Sequence, residues 1–470
     1  MAKFFRKRTL RASVDQVTNA SNLTLRQSIL PLCLVTILFF LWGFAYGLLD
    51  VLNKHFQNTL GITRSRSSGL QAAYFGAYPI ASLTYGGYVL RKFGYKATFM
   101  LGLTLYGVGA LMFWPAGIQR SFGGFCGATF IIGSGLGTLE TAANPYITVC
   151  GPPKYSEMRL NFAQAVQAVG TVVGPVLASQ VFFKNVDENS LQSVQWVYLG
   201  IAIFVFVLAG VFYISTIPEI TDADMERQME NTGGVFVAEE AKPLKGHYQL
   251  WWGSFSQFCY VGAQVGIASY FVNYVVEVRK GTSSAAGANF LAGAQGCFAV
   301  GRFLGVFFMK FINPRKVLLG YFTLVIVFQA ASIGATENAG LACLMLVLFF
   351  ESICFPTIFA LAIRGLGKHT KTGSTVVIGS VIGGAIVPPL LAVTADRFNN
   401  TGTAMFVPLI FFVAAYSFPL GVNFHRPTRE LMDGFLESRV GMEEGGKDDI
   451  EKADIDGTRV EDIEMENNDS

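Results

Sequence analysis

The sequence predicts an all-α integral membrane protein with twelve transmembrane helices in two six-helix halves. Its 470 residues are 52% hydrophobic and only 14% charged, whereas a soluble protein would carry roughly 25% charged residues. About twelve apolar runs reach the roughly twenty residues that a helix needs to cross a bilayer. A polar, acidic stretch after the sixth run divides them into two sets of six.

The apolar runs follow one another through short polar connections. They cover residues 30–52, 69–90, 97–115, 122–149, 160–183, 193–217, 249–275, 285–309, 317–335, 339–363, 374–395 and 403–424. Lys and Arg are more frequent in the N-terminal tail and in the connections on its side of the membrane, which predicts that both termini are cytoplasmic. We therefore expect a multi-pass membrane protein, located in the plasma membrane.

The runs divide the chain into five regions. We predict a cytoplasmic tail over 1–29, a six-helix half over 30–217, a cytoplasmic linker over 218–247, a second six-helix half over 248–424 and a cytoplasmic tail over 425–470. The linker has the acidic, polar composition of a solvated connection. The C-terminal tail is rich in charge, which is typical of a disordered segment.

The two halves resemble each other in sequence. Three pairs of segments match in the same order, each pair about half a chain apart: Gly87–Phe93 with Gly305–Phe311, Glu140–Ile147 with Glu351–Ile358, and Pro175–Ala178 with Pro389–Ala392. Secondary transporters are often built from such internal repeats, and their substrate site lies near the membrane midplane between the repeats. The repeat therefore predicts a site between the halves.

Two acidic residues lie at membrane depth. Glu140 is the only charged residue from Phe122 to Val149, and Asp50 is near the outer end of the first run. A carboxyl removed from water can change between its neutral and charged forms as its surroundings change, which suits proton coupling. We expect Glu140 to act in proton coupling; the alternative is a hydrogen bond that ties two helices together. For Asp50, proton coupling and simple exposure to water at the outer surface are equally good interpretations. Glu351, the repeat partner of Glu140, fits both proton turnover and helix-to-helix bonding.

Amide and aromatic side chains are expected to bind the substrate. Gln164 and Gln167 are one turn apart on the fifth run and share a face, and the seventh run carries Gln257, Tyr260, Gln264, Tyr270, Asn273 and Tyr274. Amides pair with hydroxyls in both directions and rings cover C–H faces, so these residues favour a sugar. The substrate contacts that we predict are Gln164, Gln167, Tyr46, Asn144, Gln264, Asn273 and Glu351. The alternative is hydrogen bonding between helices.

Other kinds of chemistry lack their motifs. No Lys follows the Gly-rich stretches in the manner of a phosphate-binding loop, which argues against ATP-driven transport. The seven Cys have no metal-binding spacing, and no pairing of nucleophile and base is present. We therefore predict that the protein is not an enzyme and uses no cofactor or metal, and that the proton gradient supplies its energy.

Several segments together resemble the fucose:proton symporter family of the major facilitator superfamily. They include Phe39–Phe44, Glu140–Thr148, Arg159–Gln164, Gln257–Gln264 and Phe355–Leu361, and the likeness covers most of residues 32–424. The resemblance implies the two-half fold of that superfamily. It also implies that Asp50 and Glu140 act in proton coupling and sugar binding, and that Gln164 contacts the sugar. Gln167 then holds the position, one turn later, at which the family has a further amide.

The chain departs from the bacterial pattern of that family near the expected site. Tyr46-Gly47-Leu48-Leu49 replaces an Asn-rich run, Gln167 replaces Asn, and Glu351 stands where an uncharged residue is expected. The long acidic tail suggests a eukaryotic, and specifically a fungal, member. The departures leave open which sugar is bound.

The sequence as a whole predicts proton-coupled import of a monosaccharide by alternating access. The substrate is a deoxyhexose similar to L-fucose, or a hexose such as galactose or glucose. Two alternatives keep the fold: an uncoupled sugar facilitator, and a transporter-like sensor that signals sugar occupancy. The expected partners are the sugar, protons and the lipid bilayer, without nucleic acid, and the expected oligomeric state is a monomer.

Overall fold

Long helices account for nearly all of the chain that the computed structural model describes, namely residues 23–60, 69–177, 192–215, 217–230 and 242–437. The first half contains α1 (Leu25–Leu60), α2 (Gly69–Ala81), α3 (Gly87–Ile118), α4 (Phe122–Val149), α5 (Ser156–Leu177) and α6 (Gln192–Ile214). The second half contains α7 (Tyr248–Val278), α8 (Ser284–Met309), α9 (Pro314–Gly334), α10 (Glu337–Glu351, continued by Cys354–Ile363), α11 (Thr370–Gly379, continued by Gly383–Phe398) and α12 (Phe406–Phe424).

These helices form the twelve predicted spans. Ten described segments are long and apolar enough to cross a membrane. One of them, Gly69–Ile118, holds two spans, because Gly94 turns the chain with φ +86°. The remaining span is α5, whose described part carries two charged residues, Glu157 and Arg159, at its first turns. The twelve-helix prediction is confirmed.

The same helix pairs pack together in both halves. In the first half α1 packs on α5, and α3 packs on both α4 and α6; in the second half α7 packs on α11, and α9 packs on both α10 and α12. The arrangement thus repeats after six helices, as the internal sequence repeat predicts. The halves meet where α5 contacts α8 and where α2 contacts α11.

Apolar side chains cover the outside of the helix bundle. On α6, for example, Ile203, Phe204 and Val207 are exposed. The interior instead holds polar side chains such as Gln164 and Glu351. This distribution is the reverse of that in a water-soluble protein and fits a bundle surrounded by lipid, where every backbone polar group is bonded within a helix.

One end of the bundle carries the linker between the halves, and we call it the linker face; the opposite end is the far face. A short linker helix, Asp222–Glu230, lies there. Thr221 and Asp224 cap it reciprocally, because each accepts a hydrogen bond from the backbone N–H of the other (3.1 and 2.9 Å). Asp222 forms an ion pair with Lys371 of the second half (3.0 Å).

Two predicted regions differ from the structure. Residues 218–247 were expected to be solvated, but Ile220 and Asp224 are buried because the linker packs on the linker face; residues 231–241 lie outside the described ranges. The tail over 425–470 was expected to be disordered, but Arg426–Glu437 is a helix. Leu431 and Met432 share one buried face of this C-terminal helix, a pattern that the acidic composition of the whole tail conceals. Residues 438–470 and 1–22 lie outside the described part, and α1 begins at Leu25 rather than at residue 30.

Glu219 holds the linker against the beginning of the third span. Its carboxylate accepts hydrogen bonds from the backbone N–H groups of Tyr95 (2.6 Å) and Lys96 (3.3 Å), which follow the turn at Gly94. A Cβ at position 94 would lie 2.1 Å from Oε1 of Glu219. Glycine is therefore required there both by the positive φ and by the close approach of the linker.

We expect Gly94→Ala to destabilise the protein by about 2 kcal/mol or more. The backbone at Gly94 (φ +86°, ψ −171°) lies in a region that is essentially restricted to glycine and costs other residues about 1–3 kcal/mol, and the clash with Glu219 adds to that cost. Thermal unfolding of the purified protein in detergent measures the effect. Gly320→Ala on the exposed side of α9 is the matched control, because a Cβ there meets nothing within 4 Å. Equal unfolding temperatures for the two variants would contradict the role of Gly94.

We also expect the stability to depend on pH through Glu219. Burial raises the pKa of this carboxyl from 4.5 to about 7, and Asp222 adds to the increase, while the Tyr95 N–H and Lys371 oppose it. Because the folded pKa lies above the unfolded one, the contribution of Glu219 is fully present at low pH, and about 3 kcal/mol of stability is lost as the pH rises from about 4.5 to about 7. Unfolding temperatures of the wild type should therefore fall relative to Glu219→Gln over this pH range. Parallel curves would contradict the prediction.

Candidate functional site

A cavity of about 140 Å³ lies between the two halves. Its wall comes from α1, α2, α4 and α5 of the first half and from the equivalent α7, α8, α10 and α11 of the second half. One water molecule needs roughly 10–15 Å³ in such a cavity, so this one has room for about ten non-hydrogen atoms, close to the size of a monosaccharide. The cavity therefore lies where the internal repeat predicts the site.

Two carboxyls face the cavity from opposite halves. Glu140 is on α4, where the amide of Asn144 donates a hydrogen bond to Oε1 (3.4 Å) and the hydroxyl of Tyr78 approaches the same group. Glu351 is on α10, is 1% exposed and faces the amide of Gln264. Its Oε2 has no hydrogen-bond partner among the residues that the structure describes. Each half therefore offers the cavity one acid.

A buried guanidinium accompanies the two acids. Arg302 of α8 lines the cavity and is 4% exposed. Its Nε donates a hydrogen bond to the Ser352 carbonyl (2.6 Å), at the interruption between the two helical segments of α10, and its Nη1 donates to the Gln164 carbonyl of α5 (2.7 Å). The ring of Phe298 lies 4.6 Å from the guanidinium carbon. The cavity thus contains a guanidinium together with two carboxyl groups.

Amides and rings form the rest of the polar wall. Four glutamines line it from both halves: Gln164, Gln167, Gln264 and Gln295. The aromatic residues of the wall are Trp42, Tyr46, Tyr74, Phe75, Tyr78, Phe298 and Phe355. Such a combination of adaptable amides and flat apolar surfaces suits a small polyhydroxylated molecule, because amides bond hydroxyls while rings cover C–H faces.

Bonds between the halves close the cavity on the side of the linker face. Nδ2 of Asn161 donates to Oγ1 of Thr357 (3.0 Å), and Oγ of Ser374 donates to the Thr141 carbonyl (2.8 Å). Closer to the linker face, Glu157 of α5 forms a buried ion pair with Arg364, which follows α10. Arg364 also donates to the carbonyl of Met432 in the C-terminal helix (2.8 Å). We call these contacts the closed layer.

The far-face side of the cavity also has a contact between the halves. Tyr74, Thr171 and Ala268 extend its wall toward that end of the bundle. There Oγ of Ser269 in the second half donates a hydrogen bond to Oε1 of Gln71 in the first half (3.3 Å).

The structure brings most of the predicted site residues to the cavity wall. Those that line it are Tyr46, Glu140, Gln164, Gln167, Gln264 and Glu351. Asn144 does not line it, because its amide turns to Glu140. Asn273 is also absent from the wall: it is nine residues beyond Gln264, two and a half helical turns, and so lies on the opposite side of α7. Asp50 belongs to α1, but its side chain lies outside the described part of the structure.

Several wall residues were not predicted. Arg302 is the main omission, although it is the only charged residue of α8, the same signal that identifies Glu140 on α4. Gln295 gives a similar signal on the same helix. The sequence gives no signal that singles out the rings of Tyr74, Phe75 and Tyr78, because aromatic residues in an apolar run are as typical of packing as of binding.

Comparison with known proteins agrees with this geometry. Residues 35–388 match the sequence profile of the Major Facilitator Superfamily. The L-fucose-proton symporter of Escherichia coli is 34% identical, over 84% of this chain and 93% of that protein. A glucose/galactose transporter of Brucella abortus is 32% identical, over 80% of this chain and 90% of that protein.

A solved structure has the same architecture. The crystal structure of the Major Facilitator Superfamily transporter FucP in the outward conformation is similar with a TM-score of 0.71 and 33% sequence identity. The similarity covers 83% of this chain and 98% of that protein.

We expect Glu157→Gln to lower the stability by about 3 kcal/mol, because it leaves the buried Arg364 guanidinium without its counter-charge. The matched control is Glu226→Gln, which also breaks an ion pair at the linker face but a weak one, 4.0 Å from Lys368. The Glu157 side chain is 0% exposed and that of Glu226 is 47% exposed, so the control should change stability by less than about 1 kcal/mol. Thermal unfolding in detergent compares the two. Similar small shifts would show that the closed layer does not depend on this pair.

Proposed function

Because this chain belongs to the major facilitator superfamily, we propose that it is a proton-coupled importer of a monosaccharide that works by alternating access. One observation carries the proposal: a cavity between two repeated halves combines a carboxyl from each half with amides and rings from both. The carboxyls can carry a proton, and the amides and rings suit a sugar. The printed names of the relatives, a fucose-proton symporter and a glucose/galactose transporter, support the same function.

The substrate in this proposal is a hexose or a 6-deoxyhexose. The four glutamines offer donors and acceptors without charge, which favours hydroxyl groups over carboxylates or phosphates. The rings of α1 and α2 cluster on one wall, with centroids of Tyr46 and Tyr74 6.4 Å apart and those of Tyr74 and Phe75 5.1 Å apart. The rings are tilted to one another by 57° and 78°, so they form an aromatic corner that can cover the apolar C–H groups of a sugar ring.

The proposed cycle begins from the state that is open to the far face. The proposed location is the plasma membrane, with the far face outside the cell. In this state a sugar and a proton therefore reach the cavity from outside. Asp50 links protonation to sugar binding, and Glu140 holds the charge whose neutralisation allows the halves to rock. The contacts of the closed layer then break, and sugar and proton leave at the linker face. The empty protein then returns to the state that is open to the far face, which completes the cycle.

Uptake by the purified protein in proteoliposomes tests the proposal. Radiolabelled fucose, galactose, glucose, arabinose and rhamnose are offered with and without an imposed inward proton gradient. Accumulation of one or more sugars above equilibrium only with the gradient is the expected result. Equal uptake in both conditions, without accumulation, would identify an uncoupled facilitator. Binding without flux would identify a sensor, and either result would overturn the proposal.

We expect Glu140→Gln and Asp50→Asn each to reduce gradient-driven accumulation at least about tenfold, a change of roughly 1.4 kcal/mol. Neither side chain can then carry the proton, whereas sugar-for-sugar exchange, which needs no net proton movement, persists. Accumulation and exchange are measured on the same vesicles. Asp396→Asn, which removes an exposed carboxyl at the far end of α11, is the matched control and keeps both activities. Accumulation at the wild-type level in both Glu140→Gln and Asp50→Asn would contradict the coupling roles of these two residues.

A further inference from the structure

Gln257 continues the cavity-facing side of α7 toward the linker face. The residues of α7 that line the cavity are Val261, Gln264, Val265 and Ala268. Gln257 is one turn before Val261, about 6 Å along the helix, and two turns before Gln264, so all three share one side of α7. Gln257 is fully buried. It therefore lies beneath the cavity, on the side that is closed toward the linker face.

Neither polar atom of this amide has a protein partner. Oε1 and Nε2 of Gln257 form no hydrogen bond with any residue that the structure describes. An amide that is buried in this way gives up its hydrogen bonds to water without gaining others, which destabilises the state in which it is buried. An apolar side chain of similar size would suit the closed arrangement better. Packing in this state therefore does not explain Gln257.

Two further amides lie at a similar level on helices of the first half. Asn161 of α5 is one turn from Gln164 toward the linker face, and Asn144 of α4 is one turn from Glu140 in the same direction. Both asparagines are fully buried, and Oδ1 of each has no hydrogen-bond partner in the described part of the chain. We call Asn144, Asn161 and Gln257 the inner amides.

Separation of the halves at the linker face changes the surroundings of the inner amides. Gln257 belongs to the second half, whereas Asn144 and Asn161 belong to the first half. The bond from Nδ2 of Asn161 to Oγ1 of Thr357 joins the halves (3.0 Å), so opening releases this donor as well. The inner amides then offer both donors and acceptors, which is the combination that binds hydroxyl groups.

We propose that the inner amides form a second sugar site, which binds the hydroxyls of the sugar after the linker face opens and before the sugar leaves. The proposal rests on the proposed function, because it requires alternating access of a sugar. Gln164 and Gln264 of the cavity wall contact the sugar first, and the inner amides receive it about one to two turns closer to the linker face. The site explains why polar atoms without partners occur in the closed layer: their hydrogen bonds are made in the open state.

Reaction of a cysteine at position 257 tests whether sugar occupies this site. Gln257→Cys is placed in nanodiscs, where both faces of the protein meet the solution, and its reaction with a small methanethiosulfonate is followed. The reaction of the wild type, which has seven native cysteines, is subtracted. Fucose, galactose, glucose, arabinose and rhamnose are each added at about ten times the concentration for half-maximal uptake. We expect the sugars that the wild type accumulates to slow the reaction at least about fivefold, because only the unoccupied fraction reacts.

Thr375→Cys is the matched control. Thr375 of α11 is buried and packs against Gly87 of the first half. It should therefore also become accessible when the halves separate, although its helix carries none of the inner amides. A sugar that only shifts the protein between its states slows the reaction of both cysteines by the same factor. Asn161→Cys gives the same readout from α5 if Gln257→Cys does not fold.

The outcomes separate this inference from the proposed function. Slowing by an accumulated sugar at position 257 or 161, with at most about a twofold effect at position 375, supports the inference. Equal slowing at the compared positions, no slowing at position 257 or 161, or reaction at position 375 alone overturns the inference while the proposed function stands. If none of the positions reacts, the linker face does not open, and the proposed function is overturned together with the inference. A wild type that accumulates none of the five sugars under a proton gradient has the same consequence.

Discussion

The structure depends on the compensation of charges that are buried between its two halves. Glu157 with Arg364 near the linker face, and Arg302 with the carbonyls of Gln164 and Ser352 in the cavity, place charged side chains where water is scarce. Such groups are tolerated only with partners, and loss of one partner costs several kcal/mol. Glu157 and Arg364 belong to different halves, and Arg302 of the second half donates a hydrogen bond to α5 of the first. Separation of the halves at the linker face must therefore break these contacts.

The repeated fold places these groups with little local irregularity. Equivalent helices of the halves, α4 and α10, bring the repeat partners Glu140 and Glu351 to opposite walls of one cavity. The interruption of α10 at Ser352 and Ile353 leaves a carbonyl that accepts the bond from Arg302. At the linker face, Gly94 lets the linker carboxyl of Glu219 approach the backbone of the third span. The cavity and its closed side thus follow from symmetry together with a few breaks in helices.

The fold and part of the site could be predicted because membrane-spanning helices follow simple rules. Apolar length predicts the spans, and a lone polar residue in such a run points inward, as Glu140, Gln164 and Gln264 do. Asn273 shows the limit of composition without helical phase, since it lies on the opposite side of α7 from Gln264. The rings of α2 could not be distinguished from packing residues, because only the three-dimensional arrangement shows which aromatic residues meet a cavity. The helix within the C-terminal tail was likewise concealed by the acidic residues around it.

In the proposed function, sugar and protons cross the membrane together. This joint movement can be measured most directly in proteoliposomes that contain a pH-sensitive dye and have no imposed gradient. The sugar that the uptake experiment shows to be accumulated is added outside the vesicles. We expect inward movement of the sugar to acidify the lumen, and we expect this change to require the ionisable groups of the cavity. Sugar entry without any change in luminal pH would contradict it.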